Sequence, residues 1–177
     1  MRLIRYKSER TFQQGGDELT EIEYIKAVRR NSQRIFLIAF SYVQNKENAE
    51  DIMQNTFLKL WKNTTAFEDD SHIDKWLTRV CVNECKDSFK SLFAKSTPLD
   101  EIAELSGTDS YFNIDLFNAV SSLPKKERLA IHLFYYEDMK IDEISEVMKQ
   151  KPGTVKSLLF RARQKLKAKL GDEWTDE

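Results

Sequence analysis

The sequence predicts an all-α protein with two small helical domains joined by an acidic linker, and three observations predict it. The 177 residues include only five glycines and three prolines. Apolar residues recur at three- and four-residue spacing along much of the chain, and no extended apolar–polar alternation marks a strand. Between residues 96 and 121 stand five acids, Asp100, Glu101, Glu104, Asp109 and Asp115, and no Lys or Arg. That charge break separates two amphipathic blocks, so the chain divides into an extension over 1–19, a domain over 20–95, a linker over 96–121 and a domain over 122–177. At this length each domain can bury a modest core.

The extension carries Arg2, Arg5, Lys7, Arg10 and Gly15-Gly16 without apolar periodicity, and reads as a flexible segment. Its start lacks the apolar core of a signal peptide, and no apolar run approaches a membrane span, so a cytoplasmic location is expected. In the first helix, Ile22, Ile25, Val28, Ile35, Phe36, Ile38, Ala39 and Tyr42 form one long amphipathic stretch ending near Gln44-Asn45.

A second helix begins around Glu47. Ile52, Thr56 and Leu60 lie on a row beside Ala49, Met53 and Phe57, and both rows can bury. Asp51, Gln54, Leu58 and Trp61 follow i, i+3, i+7 and i+10 along another side, which is the candidate partner face. Two readings of that side stand open on the residues alone. A carboxylate and an amide can pair with a partner's polar groups while Trp61 anchors apolar contact. Equally, Asp51 can serve as a first-turn acid and Trp61 as a core residue.

Residues 64–72, with Phe67 the single aromatic and Glu68, Asp69 and Asp70 following, form a polar loop before a third helix through Trp76 and Asn83. Cys81 and Cys85 sit four apart on that helix. Zinc would need further ligands, and the only histidines, His72 and His132, lack paired spacing. The two thiols read as small packed side chains, with redox sensing the alternative. In the linker, Thr97-Pro98 and residues 106–110 interrupt periodicity around a stretch, Leu99, Ile102, Ala103 and Leu105, that could form a short helix.

The C-terminal block holds the strongest local pattern. Ile141, Ile144, Val147 and Met148 give a short helix one buried face, Lys149-Gln150-Lys151 follows, and Pro152 suits the first turn of another helix because its missing N–H has no intrahelical partner there. Short helix, tight turn and basic helix make a helix-turn-helix pattern. Lys149 stands where such turns favour glycine, at some conformational cost. From Lys149 to Leu170 the chain carries eight Lys or Arg and no acid, although the whole chain has a net charge of −1. Leu159, Ala162, Leu166 and Leu170 stripe one face with Val155, while Lys156, Ser157, Phe160, Arg161 and Gln164 occupy the opposite one. Such a helix fits the major groove of duplex DNA. A solvated charged helix or a helix lying on anionic lipid is the alternative. Phe160 can touch a thymine methyl group or pack on another domain.

These motifs together resemble bacterial sigma factors of the extracytoplasmic-function class. Asp142-Glu143-Ile144, residues 152–157 and Phe160-Arg161-Ala162-Arg163 resemble the promoter-reading helix-turn-helix of that family. Residues 49–61, Ala-Glu-Asp-Ile-Met-Gln-Asn-Thr-Phe-Leu-Lys-Leu-Trp, resemble its polymerase-binding helix, and Trp76-Leu77-Thr78-Arg79-Val80-Cys81-Val82-Asn83 its promoter-melting helix.

The resemblance implies a non-catalytic subunit that binds core RNA polymerase and reads promoter DNA at two points. Asp51 and Gln54, with Leu58 and Trp61, would meet a coiled-coil clamp on the largest polymerase subunit. Phe67 would wall a base flipped from the melted minus-10 strand, Asn83 would bond its edge, and Arg79, Lys86 and Lys90 would contact its backbone. Unstacking a base costs a few kcal/mol, which stacking and hydrogen bonding must offset. Thr154, Lys156, Ser157, Phe160, Arg161 and Arg163 would read the minus-35 duplex. An anti-sigma factor, often membrane-tethered in this family, is the implied inhibitor.

Leu158 departs from the pattern, standing where the recognition helix often carries Arg. It is expected to extend the core or an inhibitor-binding surface. The competing function is a helix-turn-helix regulator acting without polymerase. Catalysis has little support, because no glycine-rich phosphate loop or nucleophile–base spacing is present, and no cofactor or metal is expected.

Overall fold

The computed structural model describes residues 19–64, 66–88 and 114–171. Among them are seven α-helices and no strand: α1 (Glu21–Val43), α2 (Lys46–Trp61), α3 (Asp70–Ser88), α4 (Ile114–Ser121), α5 (Lys125–Tyr135), α6 (Ile141–Met148) and α7 (Pro152–Leu170).

Local chemistry sets the helix ends. At the start of α1 the Thr20 hydroxyl accepts from the Glu23 N–H and the Glu23 carboxylate accepts from the Thr20 N–H at 2.9 Å, so two otherwise orphaned donors are satisfied reciprocally. Gln44 closes α1 in the left-handed region, φ 51°, with its N–H on the Phe40 carbonyl, and the next side chain, Asn45, caps α2 by accepting from the Asn48 N–H at 2.8 Å. Stop and start thus occupy two adjacent residues, which forces α1 and α2 into a tight antiparallel pair.

α1, α2 and α3 pack on one another. The rows expected to bury in α2 do so: Ala49, Ile52, Thr56, Phe57 and Leu60 are buried and Met53 is half-buried. A polar lock joins α1 to α3. Asn31, 1% exposed, donates to the Asp74 carboxylate at 2.8 Å and to the Ala27 carbonyl at 3.0 Å, and Arg30 pairs with the same carboxylate at 2.8 Å. Ile22 and Ile25 correct the sequence reading: they are 67% and 40% exposed. Periodicity placed them on the apolar stripe, but burial along α1 begins at Ala27.

In the C-terminal half, α5, α6 and α7 pack together and α4 lies on α7. Residues 114–121, expected inside the linker, therefore form a helix with a packed face, Ala119 being buried and Phe117 and Val120 partly so. The expected short helix near residue 100 lies outside the described residues, as do the extension over 1–18 and the linker over 96–113. The turn between α6 and α7 is made by Lys149 at φ 49°, and Pro152 opens α7. Lysine there bears the left-handed strain that a glycine would relieve.

The two halves share a seam, α1 lying against α5 and α3 against α6. Arg128 of α5 reaches across it to the Ser41 and Tyr42 carbonyls at the end of α1 while holding the Ser121 and Leu123 carbonyls of its own half at 2.9 and 2.5 Å. Arg34 pairs with Glu137, and the Gln44 amide donates to the Ser121 carbonyl at 2.6 Å. Burial brings the Arg128 guanidinium down to about 10, still charged at neutral pH.

Candidate nucleic-acid and partner interfaces

The outer face of α7 is built by burying its other side. Val155, Leu158, Leu159, Ala162 and Leu166 are buried, which leaves Lys156, Ser157, Phe160, Arg161 and Gln164 exposed and Thr154 half-buried. Leu158, 5% exposed, belongs to the core. Phe160 is 63% exposed, an apolar ring held in water on a polar face. The Ser157 hydroxyl donates to the Gly153 carbonyl at 2.9 Å, leaving its oxygen lone pairs outward.

Two α7 cations are steered by α5. Glu127, whose side chain is 7% exposed, lies 2.8 Å from Lys165 and 3.6 Å from Arg161. Arg163 turns toward an aromatic pair: its Nε donates to the Tyr135 hydroxyl at 2.9 Å, and its guanidinium stands 5.3 Å from the Phe134 ring centre and 5.6 Å from that of Tyr135. The structure therefore brings Lys156, Ser157 and Phe160 together on the open face, with Arg161 at its edge, and sets Arg163 apart against α5.

On α2, Asp51, Gln54, Leu58 and Trp61 are all exposed, Leu58 by 50% and Trp61 by 43%. Trp61 is thus not a wholly buried core residue, and this side of α2 faces solvent. The Tyr24 ring packs against it in an edge-type contact, with ring centres 4.9 Å apart. This brings the first turn of α1, with exposed Ile22 and Ile25, to the same end of the bundle. Sequence reasoning missed the exposure of Ile22 and Ile25, because a stripe's periodicity does not show where its covering helices stop.

Around α3, Phe67 is half-buried, edge-on to His72 at 5.4 Å and to Trp76 at 5.7 Å. Phe67 thus belongs to a cluster of three rings. The neighbouring acids have local work: Asp69 accepts from the His72 N–H at 2.7 Å and Asp70 pairs with Arg30 at 2.6 Å. Lys75, Arg79, Asn83 and Lys86 recur at helical spacing along one stripe of α3. Arg79 lies 3.3 Å from Glu146, Lys75 3.6 Å from Glu143, and the Lys86 ammonium donates to the Val147 carbonyl at 3.3 Å. Burial first, then the nearby Lys149, pushes Lys86 down from the usual lysine range. Asn83 is half-buried on the same stripe, and Lys90 lies outside the described residues. Cys81 and Cys85 are fully buried, with the Cys85 thiol pushed well up by its hydrogen bond to Cys81 and by burial, which disfavours the reactive thiolate.

Among the described residues no helix is long and apolar enough to cross a membrane, and no cluster of His, Cys, Asp or Glu could hold a metal ion.

Comparison with known proteins fits this arrangement. Residues 27–92 match the model for sigma-70 region 2, and residues 114–166 match that for sigma-70 region 4. The RNA polymerase sigma factor SigV of Bacillus subtilis is 27% identical over 159 residues, spanning 88% of this chain and 96% of that protein. The ECF sigma factor SigW of the same organism is 28% identical, over 78% of this chain and 84% of that protein. Among solved structures, the sigma factor RpoE of Bartonella quintana, in complex with the anti-sigma factor NepR, superposes with a TM-score of 0.68 at 22% identity, covering 86% of this chain and 99% of that one. CnrH in complex with the cytosolic domain of CnrY gives 0.62 at 22% identity, covering 85% and 89%. With two regions of one family matched in order along about two thirds of its length, the chain belongs to the sigma-70 family of RNA polymerase sigma factors, in the extracytoplasmic-function class.

Proposed function

We propose that this chain binds core RNA polymerase through the exposed side of α2 and directs promoter-specific initiation by reading DNA at two points. Asp51, Gln54, Leu58 and Trp61 dock on the polymerase. Phe67 and Asn83 hold a base of the melted minus-10 strand, with Arg79, Lys86 and Lys90 on its backbone. The open face of α7, Thr154, Lys156, Ser157, Phe160 and Arg161, reads the minus-35 duplex, and Arg163 positions that helix from its aromatic seat on α5. One task falls to each half: the N-terminal domain at residues 20–95, and the C-terminal half, in which the helix at 114–121 packs on the basic helix. The protein works in the cytoplasm, and its relatives' complexes support an anti-sigma factor as its inhibitor.

One observation carries the reading: a single chain exposes both a mixed polar and apolar α2 side, with Leu58 and Trp61 held in water, and an acid-free basic helix presenting Phe160. A DNA regulator acting alone has no use for the first. Joining two weak DNA sites and a polymerase site in one particle raises the effective concentration of each, so neither half needs tight binding by itself. The net charge of −1 limits nonspecific capture by genomic phosphate in the free protein. Co-elution of the chain with core polymerase tests the first half of the proposal: intact duplex binding without co-elution overturns it.

A further inference from the structure

Two cavities at the seam differ in the charge of their linings. The larger, about 650 Å³, sets Arg30, Arg34 and Lys75 against Asp74, Glu137 and Glu143. The smaller, about 290 Å³, has no carboxylate among its lining residues; its polar lining is Tyr42 near the end of α1, Lys86 of α3, Lys126 of α5, and Lys149 and Gln150 in the turn between α6 and α7. Like charges are crowded there. Burial, then Lys149 and, less strongly, Lys126 push the Lys86 ammonium below the usual lysine range, and Asp87 opposes them more weakly than either. Lys86 donates to the Val147 carbonyl at 3.3 Å, a neutral acceptor. Lys125 stands 5.6 Å from the Tyr42 ring centre and is itself pushed down, first by burial and then by Lys126. Gathering ammonium groups around a polar cavity without an acid costs free energy that a bound anion recovers. Lys149 adds a second cost, since it holds φ 49° where glycine would rest without strain. Strain kept at a residue whose side chain lines a cavity points toward a ligand.

We propose that this cavity is a binding site for a small oligophosphate anion, held by Lys86, Lys126 and Lys149 with the Gln150 amide as a further donor. Ammonium groups donate charge-assisted hydrogen bonds to phosphate oxygens, and an amide N–H adds a neutral one. Size limits the ligand. Small-molecule sites occupy roughly 300–1,000 Å³, so a cavity of about 290 Å³ suits a compact diphosphate rather than a nucleotide chain. An anion that binds only the assembled lining stabilises the folded chain by mass action. The site goes beyond promoter reading and does not rest on it. Lys86 alone is shared with the proposed strand site, and the test leaves it unchanged.

The test titrates inorganic pyrophosphate into the full chain by calorimetry at constant ionic strength, with chloride as the balancing anion so that screening does not imitate binding. Two variants remove one cation each, in different segments. K149G suits the left-handed turn and loses the charge without loss of fold, and K126Q changes an exposed side chain. The control K62Q makes the same change in net charge at an exposed lysine outside the cavity. The expected result is saturable one-to-one binding by wild type, about tenfold weaker in K149G and in K126Q, since each loses one charged hydrogen bond, and unchanged in K62Q. Pyrophosphate should also raise the Tm of wild type more than that of K149G. Absence of saturable binding by wild type overturns the proposal, as does unchanged affinity in both K149G and K126Q or an equal loss in K62Q. Displacement of pyrophosphate by equimolar sulfate also overturns it, because the cavity would then hold any small dianion. Failure on any of these counts leaves promoter reading untouched, which co-elution with core polymerase tests separately.

Discussion

Replacing Arg128 with Met tests what holds the two halves together. The last carbonyls of any helix lack intrahelical partners, and α1 has no basic residue in its last turn. Arg128 supplies the missing charge from α5, donating to the Ser41 and Tyr42 carbonyls and, on its own side, to those of Ser121 and Leu123. Met keeps the length and apolar stem but no donor. A hydrogen bond from a charged donor contributes roughly 1.5–3 kcal/mol, and partial rehydration of the freed carbonyls returns some of it. The expected net loss is about 3 kcal/mol, within the range seen when a buried charged network loses one member. For a chain of this size that lowers Tm by roughly 6–12 °C in thermal unfolding followed by circular dichroism. R128K should recover no more than half, because one ammonium cannot reproduce the planar fork. A loss below about 0.5 kcal/mol for R128M would refute the reasoning, showing that water serves those carbonyls equally well.

Three further outcomes follow from burial and charge. L58A should leave the stability within about 0.5 kcal/mol of wild type, since Leu58 is half exposed, yet weaken core polymerase binding by about tenfold, from roughly 1.5 kcal/mol of lost apolar contact. L158R should destabilise the fold by at least about 3 kcal/mol, because Leu158 is buried and the guanidinium would enter an apolar site; a soluble variant of unchanged stability and tighter promoter binding would contradict this. The carboxyl of Glu143 is held below its usual value near 4.5, first by the Lys140 N–H and then by Lys75. A carboxylate lowered on folding adds stability above that value and loses it as pH falls below it. Acidification should therefore fray the start of α6, visible as movement of the Lys140 amide resonance in NMR, and an unmoved resonance would count against the cap.

Much of this molecule is legible in the chain because much of it is local. The stripe Val155–Leu159–Ala162–Leu166, the two buried rows of α2 and the Lys149 turn are set by contacts three or four residues apart, and the structure shows each. The seam is not legible, because Arg34–Glu137, Arg79–Glu146 and Arg128–Ser41 join residues 103, 67 and 87 positions apart. Nothing in either segment announces where its partner docks. The same limit explains Arg163, which reads as one more cation of a basic helix until Tyr135, 28 positions away, draws it to α5. It explains Ile22 and Ile25 as well, since periodicity defines a stripe without defining its cover. Leu158 stands open in the sequence between core and inhibitor surface, and only its burial decides for the core.

The central claim is that one chain joins polymerase docking to DNA reading through separate faces. Transcription from a library of promoter sequences by purified core polymerase plus this protein, run for wild type and R161A with co-elution monitored, tests it most directly. Wild type should initiate at templates sharing paired minus-35 and minus-10 elements, and R161A should lose initiation at those templates while still co-eluting with core. Failure of the folded wild type to initiate anywhere in the library, or loss of core association in R161A, would contradict it.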